Sequence, residues 1–347
     1  MAVAVLAAGC GTTSGEGRVA SRTRAVAPAG AADVAVLEGS GSTFVEPLLR
    51  EWISQYRARV PGVTVGYDPV GSRAAVQRFT SGAAGDFFTS EIPLTDVEAV
   101  TLGGSEEYVQ VPWAAGAIAA AYNVPDVADL RLSPDTLAGL FSGRIVRWDD
   151  PAVRADNPGA RLPALAVSVV FRADRSGTTA VFTSYLDAAA GWGLGRGDSV
   201  AFPRGTGVRG SEAVVAAVRR TPGAIGYVQL AHARLGDVDV ARLGNRAGNF
   251  LAPTPEAVSA GLAAANLRSA STTADLLFTP DAPGAYSLAT FSYLLFRRNG
   301  MDPAKAAALR HFAAWAVSEG QRLAEPLGYT RLPRQFQVPA LAAVSEW

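Results

Sequence analysis

The sequence predicts an α/β protein built as two lobes, with strands and helices in alternating layers. Three observations lead there. Short apolar or alternating runs are repeatedly followed by stretches with apolar residues at helical spacing, the pattern of strands packed under helices. The 347 residues exceed one small domain and suit two of ordinary size. Apolar residues make up 49% of the chain, enough to bury a sizeable core.

Val34–Leu37 reads as a short buried strand and Gly39–Phe44 as a glycine turn. Val45–Val60 places Leu48, Leu49, Trp52, Ile53 and Tyr56 at helical spacing. Val63–Tyr67 alternates and reads as a second strand, and Gly71-Ser72 opens a helix through Val76 and Phe79. Asp86-Phe87-Phe88 leads into Thr89-Ser90-Glu91 and Pro93, repeating the pattern. Residues 109–122 form a long apolar run that ends at Asn123-Val124-Pro125. Ser133 is placed to cap, and Pro134 to begin, a helix over Pro134–Phe141. The same central segment of short helices and strands includes Ala166–Phe171, a helix after Ser176, and Ala224–Leu230. From Ser287 the chain is again strand-like over Phe291–Phe296, and Pro303–Ser318 reads as a helix.

Composition removes several function classes. The 31 basic and 31 acidic residues cancel, whereas nucleic-acid binders usually carry a basic excess. With 1 cysteine and 2 histidines, an internal disulfide is impossible and a Cys/His zinc site has no basis. No internal stretch supplies the roughly twenty consecutive apolar residues of a membrane-spanning helix. A metal phosphatase would need clustered Asp and His, yet His232 and His311 read as packing or surface residues. Ser176 has no evident base, and Gly39–Thr43 is not a nucleophile elbow. The chain therefore reads as non-catalytic, with neither cofactor nor metal.

The terminus carries an address. Ala7-Ala8-Gly9 before Cys10 reads as a bacterial lipobox, in which the cysteine becomes the lipidated N-terminus. The alternative is a buried free cysteine. Residues 11–32, rich in Gly, Ser, Thr and Ala, read as a flexible tether. The signal pattern is incomplete, because no Lys or Arg precedes Arg18.

Ser42-Thr43-Phe44, Gly71-Ser72 and Ser176-Gly177-Thr178 share one chemistry, a hydroxyl at the start of a predicted helix. Each alone is accounted for as a helix cap. Together they suggest an oxyanion held by several helix N-termini, where unpaired N–H groups and the positive dipole end converge. Arg172, at the end of a strand before the third turn, offers a planar fork suited to phosphate oxygens. Asp174 is placed to hold that fork.

These residues resemble a known family. Gly39-Ser-Gly-Ser-Thr-Phe44, Gly71-Ser72, Asp86-Phe87 with Ser90-Glu91 and Pro93, Phe141–Asp150, Arg172–Thr179 and Pro222–Tyr227 are similar, in order and spacing, to the phosphate-binding proteins of the high-affinity phosphate ABC importer. The resemblance covers residues 34 to about 335. It implies a two-lobed periplasmic-binding-protein fold of type II, with mixed sheets flanked by helices and a ligand cleft between lobes. Carried over, Thr43 and Phe44 give backbone N–H groups and Thr43 a hydroxyl; Ser42 supports them. Ser72 gives its hydroxyl and N–H. Arg172, steadied by Asp174, gives the charge, and Ser176, Gly177 and Thr178 close from the other lobe. The implied division is a signal remnant over 1–10, a tether over 11–32, lobe I over 33–122 and 287–347, and lobe II over 123–286. Crossings then fall near Tyr122-Asn123 and Tyr286-Ser287. The implied partners are inorganic phosphate, the permease subunits of an ABC importer and, through Cys10, the outer face of the cell membrane (or the periplasm). The implied state is a monomer.

Glu91 departs from the family, which has aspartate there. An ionised carboxylate only accepts hydrogen bonds, so it suits a ligand with a P–OH and rejects sulfate. Glutamate keeps that role with one more methylene. A cleft adjusted to phosphate, weaker binding, or a larger phosphonate or phosphate ester all follow. Arg73, where the family has small residues, reads as a solvated helix residue; the alternative is that it leans towards Glu91 or the cleft rim. Other functional readings are a carrier for another protonated oxyanion such as arsenate, a lipid-anchored phosphate sensor, and a secreted phosphatase.

Overall fold

The computed structural model describes residues 35–190, 192–264, 266–267, 274–275 and 282–347. Cys10 and the tether lie outside these residues. From Ala35 the chain forms β1 (Ala35–Gly41), α1 (Glu46–Arg59), β2 (Val63–Asp68), α2 (Ser72–Thr80) and β3 (Phe87–Ser90). β1 pairs in parallel with both β2 and β3. Parallel neighbours need a long crossover, and α1 and α2 supply the two.

After α3 (Asp96–Thr101) comes the 16-residue strand β4 (Tyr108–Asn123). β5 (Arg131–Leu132), α4 (Pro134–Phe141) and α5 (Pro151–Asp156) then lead to a second unit of the same design. It comprises β6 (Ser168–Arg172), α6 (Gly177–Ala190), β7 (Thr206–Val208), α7 (Ser211–Arg220) and β8 (Ala224–Gln229), with β6 parallel to both β7 and β8. The chain continues through α8 (Leu230–Leu235), β9 (Asp239–Val240), β10 (Arg242–Gly244), β11 (Phe250–Leu251), α9 (Pro255–Ala263), β12 (Asn266–Leu267) and β13 (Ala274–Asp275). It ends with β14 (Ala289–Arg297), α10 (Pro303–Val317), β15 (Tyr329–Thr330) and α11 (Arg334–Ser345).

The main sheet has 10 strands, in the order β2-β1-β3-β14-β4-β8-β6-β7, with β15 and β9 also paired to β4. Its two ends are the parallel units, each with its first strand in the middle. Between them the β3–β14, β14–β4 and β4–β8 pairings are antiparallel. β4 changes partner along its length: Tyr108–Ala117 face β14 and Ile118–Asn123 face β8.

Aromatic side chains fill the layer under each unit. Trp113 meets Trp52, Phe87 and Phe312 edge-on beneath the first. Tyr227 stacks on Phe182 at 4.3 Å, and Phe141 meets both, beneath the second. Such pairs contribute about 0.5–1.5 kcal/mol each beyond their buried area.

Most expected elements are present. α4 begins where expected, with the Ser133 side chain accepting from the Thr136 N–H. One expected turn is a strand. β1 runs through Gly39-Ser40-Gly41 because its neighbour β3 lies too close for side chains there. A Cβ at Gly39 would sit 2.1 Å from the Phe87 ring, and one at Gly41 2.3 Å from the Thr89 carbonyl oxygen. These glycines permit close approach as well as turning. Among the described residues no helix is long and apolar enough to cross a membrane.

Candidate functional site

In parallel units the carboxyl ends of the strands meet the amino ends of the helices that follow, and ligands bind in the crevice outside them. Both units bring such ends to one place. Ser42, Thr43 and Phe44 follow β1, Ser72 starts α2, and Glu91 follows β3. From the second unit Arg172 ends β6, Ser176 precedes α6, and Gly177 and Thr178 begin it. Ser42, Ser72, Glu91, Arg172, Ser176 and Thr178 are all buried, and Thr43 is only 8% exposed.

The units touch through these residues. Arg172 Nη1 lies 3.3 Å from Thr43 Oγ1. A Cβ on Gly177 would stand 2.4 Å from Ser72 Oγ and 2.7 Å from Glu91 Oε2. The Thr178 hydroxyl is buried with no hydrogen-bond partner.

Arg172 is aimed by its own strand end. Its Nε donates to Asp174 Oδ1 at 2.7 Å and its Nη2 to Asp174 Oδ2. The Gly210 N–H also donates to Asp174, at 3.2 Å. Burial pushes the Asp174 carboxyl up, but the Arg172 guanidinium and the Gly210 N–H outweigh it and hold the group below its usual range. Asp174 is therefore ionised and steadies the fork, leaving Nη1 turned towards the hydroxyls.

Glu91 brings a buried carboxylate from the other side. Its Oε2 accepts the Ser42 hydroxyl at 2.6 Å and the Ser72 hydroxyl at 2.8 Å. Its Oε1 is buried without a partner. Burial raises the pKa, while the hydroxyls of Ser42, Ser72 and Ser292 and the positive charge of Arg172 pull it back.

Three expected donors are directed elsewhere. The Phe44 N–H donates to Ser42 Oγ at 2.8 Å, a local serine turn that satisfies the amide within the protein. The Ser72 hydroxyl donates to Glu91 Oε2 at 2.8 Å. The Ser176 N–H, likewise, donates to the Asp198 carbonyl at 2.9 Å. Ser42 and Ser72 do not cap their helices, since neither α1 nor α2 has a side-chain cap.

Three residues escaped the sequence. Ser211, 1% exposed, puts its hydroxyl 2.9 Å from Thr43 Oγ1 and 3.4 Å from Arg172 Nη1. Its signal was Gly210-Ser211, the same dipeptide as Gly71-Ser72. Both glycines precede a helix at positive φ, 94° at Gly71 and 81° at Gly210. His232 is not merely packing: its Nε2 lies 2.7 Å from the Thr43 carbonyl oxygen. A carbonyl only accepts, so Nε2 carries the proton. Burial keeps this imidazole below its ordinary pKa and hence neutral at pH 7. Arg73 is not solvated either. It is 20% exposed and pairs with Asp198 at 2.5 Å and Glu98 at 3.0 Å. His311, by contrast, lies exposed on α10.

Paired crossover units with converging helix ends and one aimed arginine define the class of two-unit solute-binding proteins, and the PBP superfamily domain is matched over residues 26–320. The phosphate-binding protein PstS of Methanocaldococcus jannaschii is 34% identical over 335 residues, covering 89% of this chain and 86% of that protein. PstS 3 of Mycobacterium tuberculosis is 32% identical over 361 residues, covering 99% and 97%. Within that class, this chain belongs to the PstS family. Its fold is similar to that of a putative phosphate ABC transporter substrate-binding protein with bound phosphate from Clostridium perfringens. The TM-score is 0.63 at 16% identity, covering 86% of this chain and 100% of the other.

Proposed function

We propose that this protein captures inorganic phosphate and hands it to the permease of an ABC importer, without any covalent step. The observation that carries this is the pairing of donors with one acceptor. Arg172 Nη1 lies with the hydroxyls of Thr43 and Ser211, and two further buried polar atoms at the site, the Thr178 hydroxyl and Glu91 Oε1, have no hydrogen-bond partner. A protonated phosphate has oxygens for the donors and one O–H for the acceptor. Sulfate lacks that O–H and would leave the carboxylate unpaired. The names of the PstS relatives support the same ligand.

In this reading the two crossover units are the lobes, and β4 passes from one to the other. The change of partner at Ala117-Ile118 supports a crossing within β4, a few residues before Tyr122-Asn123. Phosphate binds one lobe, bridges to the other, and shifts the population towards the closed form. Thr43 acts from the first lobe with the Ser72–Glu91 pair behind it. Arg172 and the start of α6 act from the second. The protein works outside the cytoplasm as a monomer, held to the membrane by lipid on Cys10. Arsenate carries the same proton as phosphate and is the anion expected to compete.

Calorimetric titration of ligand-stripped protein tests this. Phosphate is expected to bind tightly and sulfate to give no heat, at pH values on both sides of neutrality. Arg172→Ala should lose about 150- to 4000-fold in phosphate affinity, since removing one partner of a buried pair costs about 3–5 kcal/mol. Unchanged affinity in that variant removes Arg172 from the site.

A further inference from the structure

We propose that Arg73 and Asp198 form a clamp across the cleft that sets how slowly a captured anion leaves. The inference rests on phosphate capture as argued above and adds two positioning residues to it. Arg73 follows Ser72 directly, on α2 of the first unit. Asp198 lies in the second unit, between α6 and β7. Arg73 Nε meets Asp198 Oδ2 at 2.5 Å, and Arg175 Nε meets Asp198 Oδ1 at 2.9 Å. Each oxygen of the carboxylate therefore serves one arginine, one from each unit.

Both ends of the clamp are fixed from behind. On the first unit, Arg73 Nη1 donates to Glu98 Oε1 at 3.0 Å. Glu98 is itself held in a capping box with Thr95 at the start of α3. On the second unit, the Asp198 carbonyl accepts the Ser176 N–H at 2.9 Å. A line of bonds thus runs from the residue beside Ser72 to Ser176, which opens the turn into α6. Closing the clamp sets the starts of α2 and α6 at one separation.

The pair differs from ordinary surface ion pairs, which contribute little. The Asp198 side chain is 5% exposed and that of Arg73 20%. Burial raises the Asp198 carboxyl, yet its two arginines hold it below the usual range, so it stays ionised. The charges of Arg73, Arg175, Asp198 and Glu98 cancel, and none of the four is among the residues assigned above to hold the anion. The clamp therefore acts on retention rather than on selection. Binding starts from the open form, in which the clamp is unmade, so association is insensitive to it. Release requires opening, and opening breaks it.

The test is stopped-flow measurement of phosphate association and release on the full chain, with Arg73→Ala, Asp198→Asn and the double variant. Release is expected to quicken about fivefold in each single variant, equivalent to about 1 kcal/mol, with association unchanged. The double variant should release no faster than the faster single one, because both changes remove one contact. Arg73→Lys should restore part of the effect; it also carries the test with Arg73→Ala if Asp198→Asn does not fold. Unchanged release rates overturn the clamp. So do additive effects, or association that falls with Arg73→Ala and rises with Asp198→Asn, which marks the two as steering charges. If the parent takes up no phosphate, phosphate capture fails, and hydrogen exchange on the same proteins judges the clamp. Faster exchange at the starts of both α2 and α6 in Arg73→Ala supports it, and a change confined to α2 overturns it.

Discussion

Glu91 has one oxygen occupied by two serine hydroxyls and the other buried without a partner. Its raised pKa has a definite sign for stability. Below its ordinary value of 4.5 the carboxyl is protonated in both folded and unfolded chains, and burial costs little. Above it the unfolded chain gives up the proton more readily, so stability falls as pH climbs towards the raised native value. Glu91→Gln should therefore melt a few degrees above the parent at pH 7, and the gap should close as pH falls below that ordinary value. The same variant offers an N–H to the ligand. Sulfate affinity should rise by about tenfold or more, read by competition with phosphate. At this scale the sequence was informative where chemistry is local. Arg172 with Asp174 two residues on, and the Ser-Gly-Thr turn, could be read directly. Ser211, His232 and the partners of Arg73 could not. Thr43 and Ser211 are 168 positions apart, and no local pattern announces their contact.

The crossover units explain why helix starts, rather than side chains alone, build the site. Parallel neighbours need a crossover, here helical, and Gly71 and Gly177 let the turns before α2 and α6 approach the other unit. Gly177 shows the tolerance. Its backbone does not require glycine, but a Cβ there would press into Ser72 Oγ and Glu91 Oε2. Ser72 is tied to Glu91 and does not yield cheaply. Gly177→Ala should thus bind phosphate at least about tenfold more weakly while melting close to the parent, because the clash opposes closure rather than folding. Calorimetry and thermal melting on one sample check both halves. Helices α1 and α2 were legible from the spacing of their apolar residues, and α4 from its capping Ser133 and Pro134. α7 was not singled out, although Gly210-Ser211 repeats the signal that opens α2.

For the whole molecule, ligand and fold are linked. If phosphate holds the units together, phosphate at 100 times its dissociation constant should stabilise the protein by about 2.7 kcal/mol. That corresponds to about 4 °C in melting temperature, measured by scanning calorimetry, with sulfate giving no shift. The α/β class was legible because alternation of strand and helix is written in every segment. The change of partner within β4 was not, since its apolar run looks uniform from end to end. That shared strand has a further consequence for any attempt to divide the protein. A fragment stopping at Asn123 would keep Ile118–Asn123 without β8 and the rest of β4 without β14, leaving bare rows of amide and carbonyl groups. The complementary fragment would lack the strand on which β8 and β14 both lean. Neither half is a self-sufficient module; expressed apart they should associate with themselves, and expressed together they should recombine into one particle.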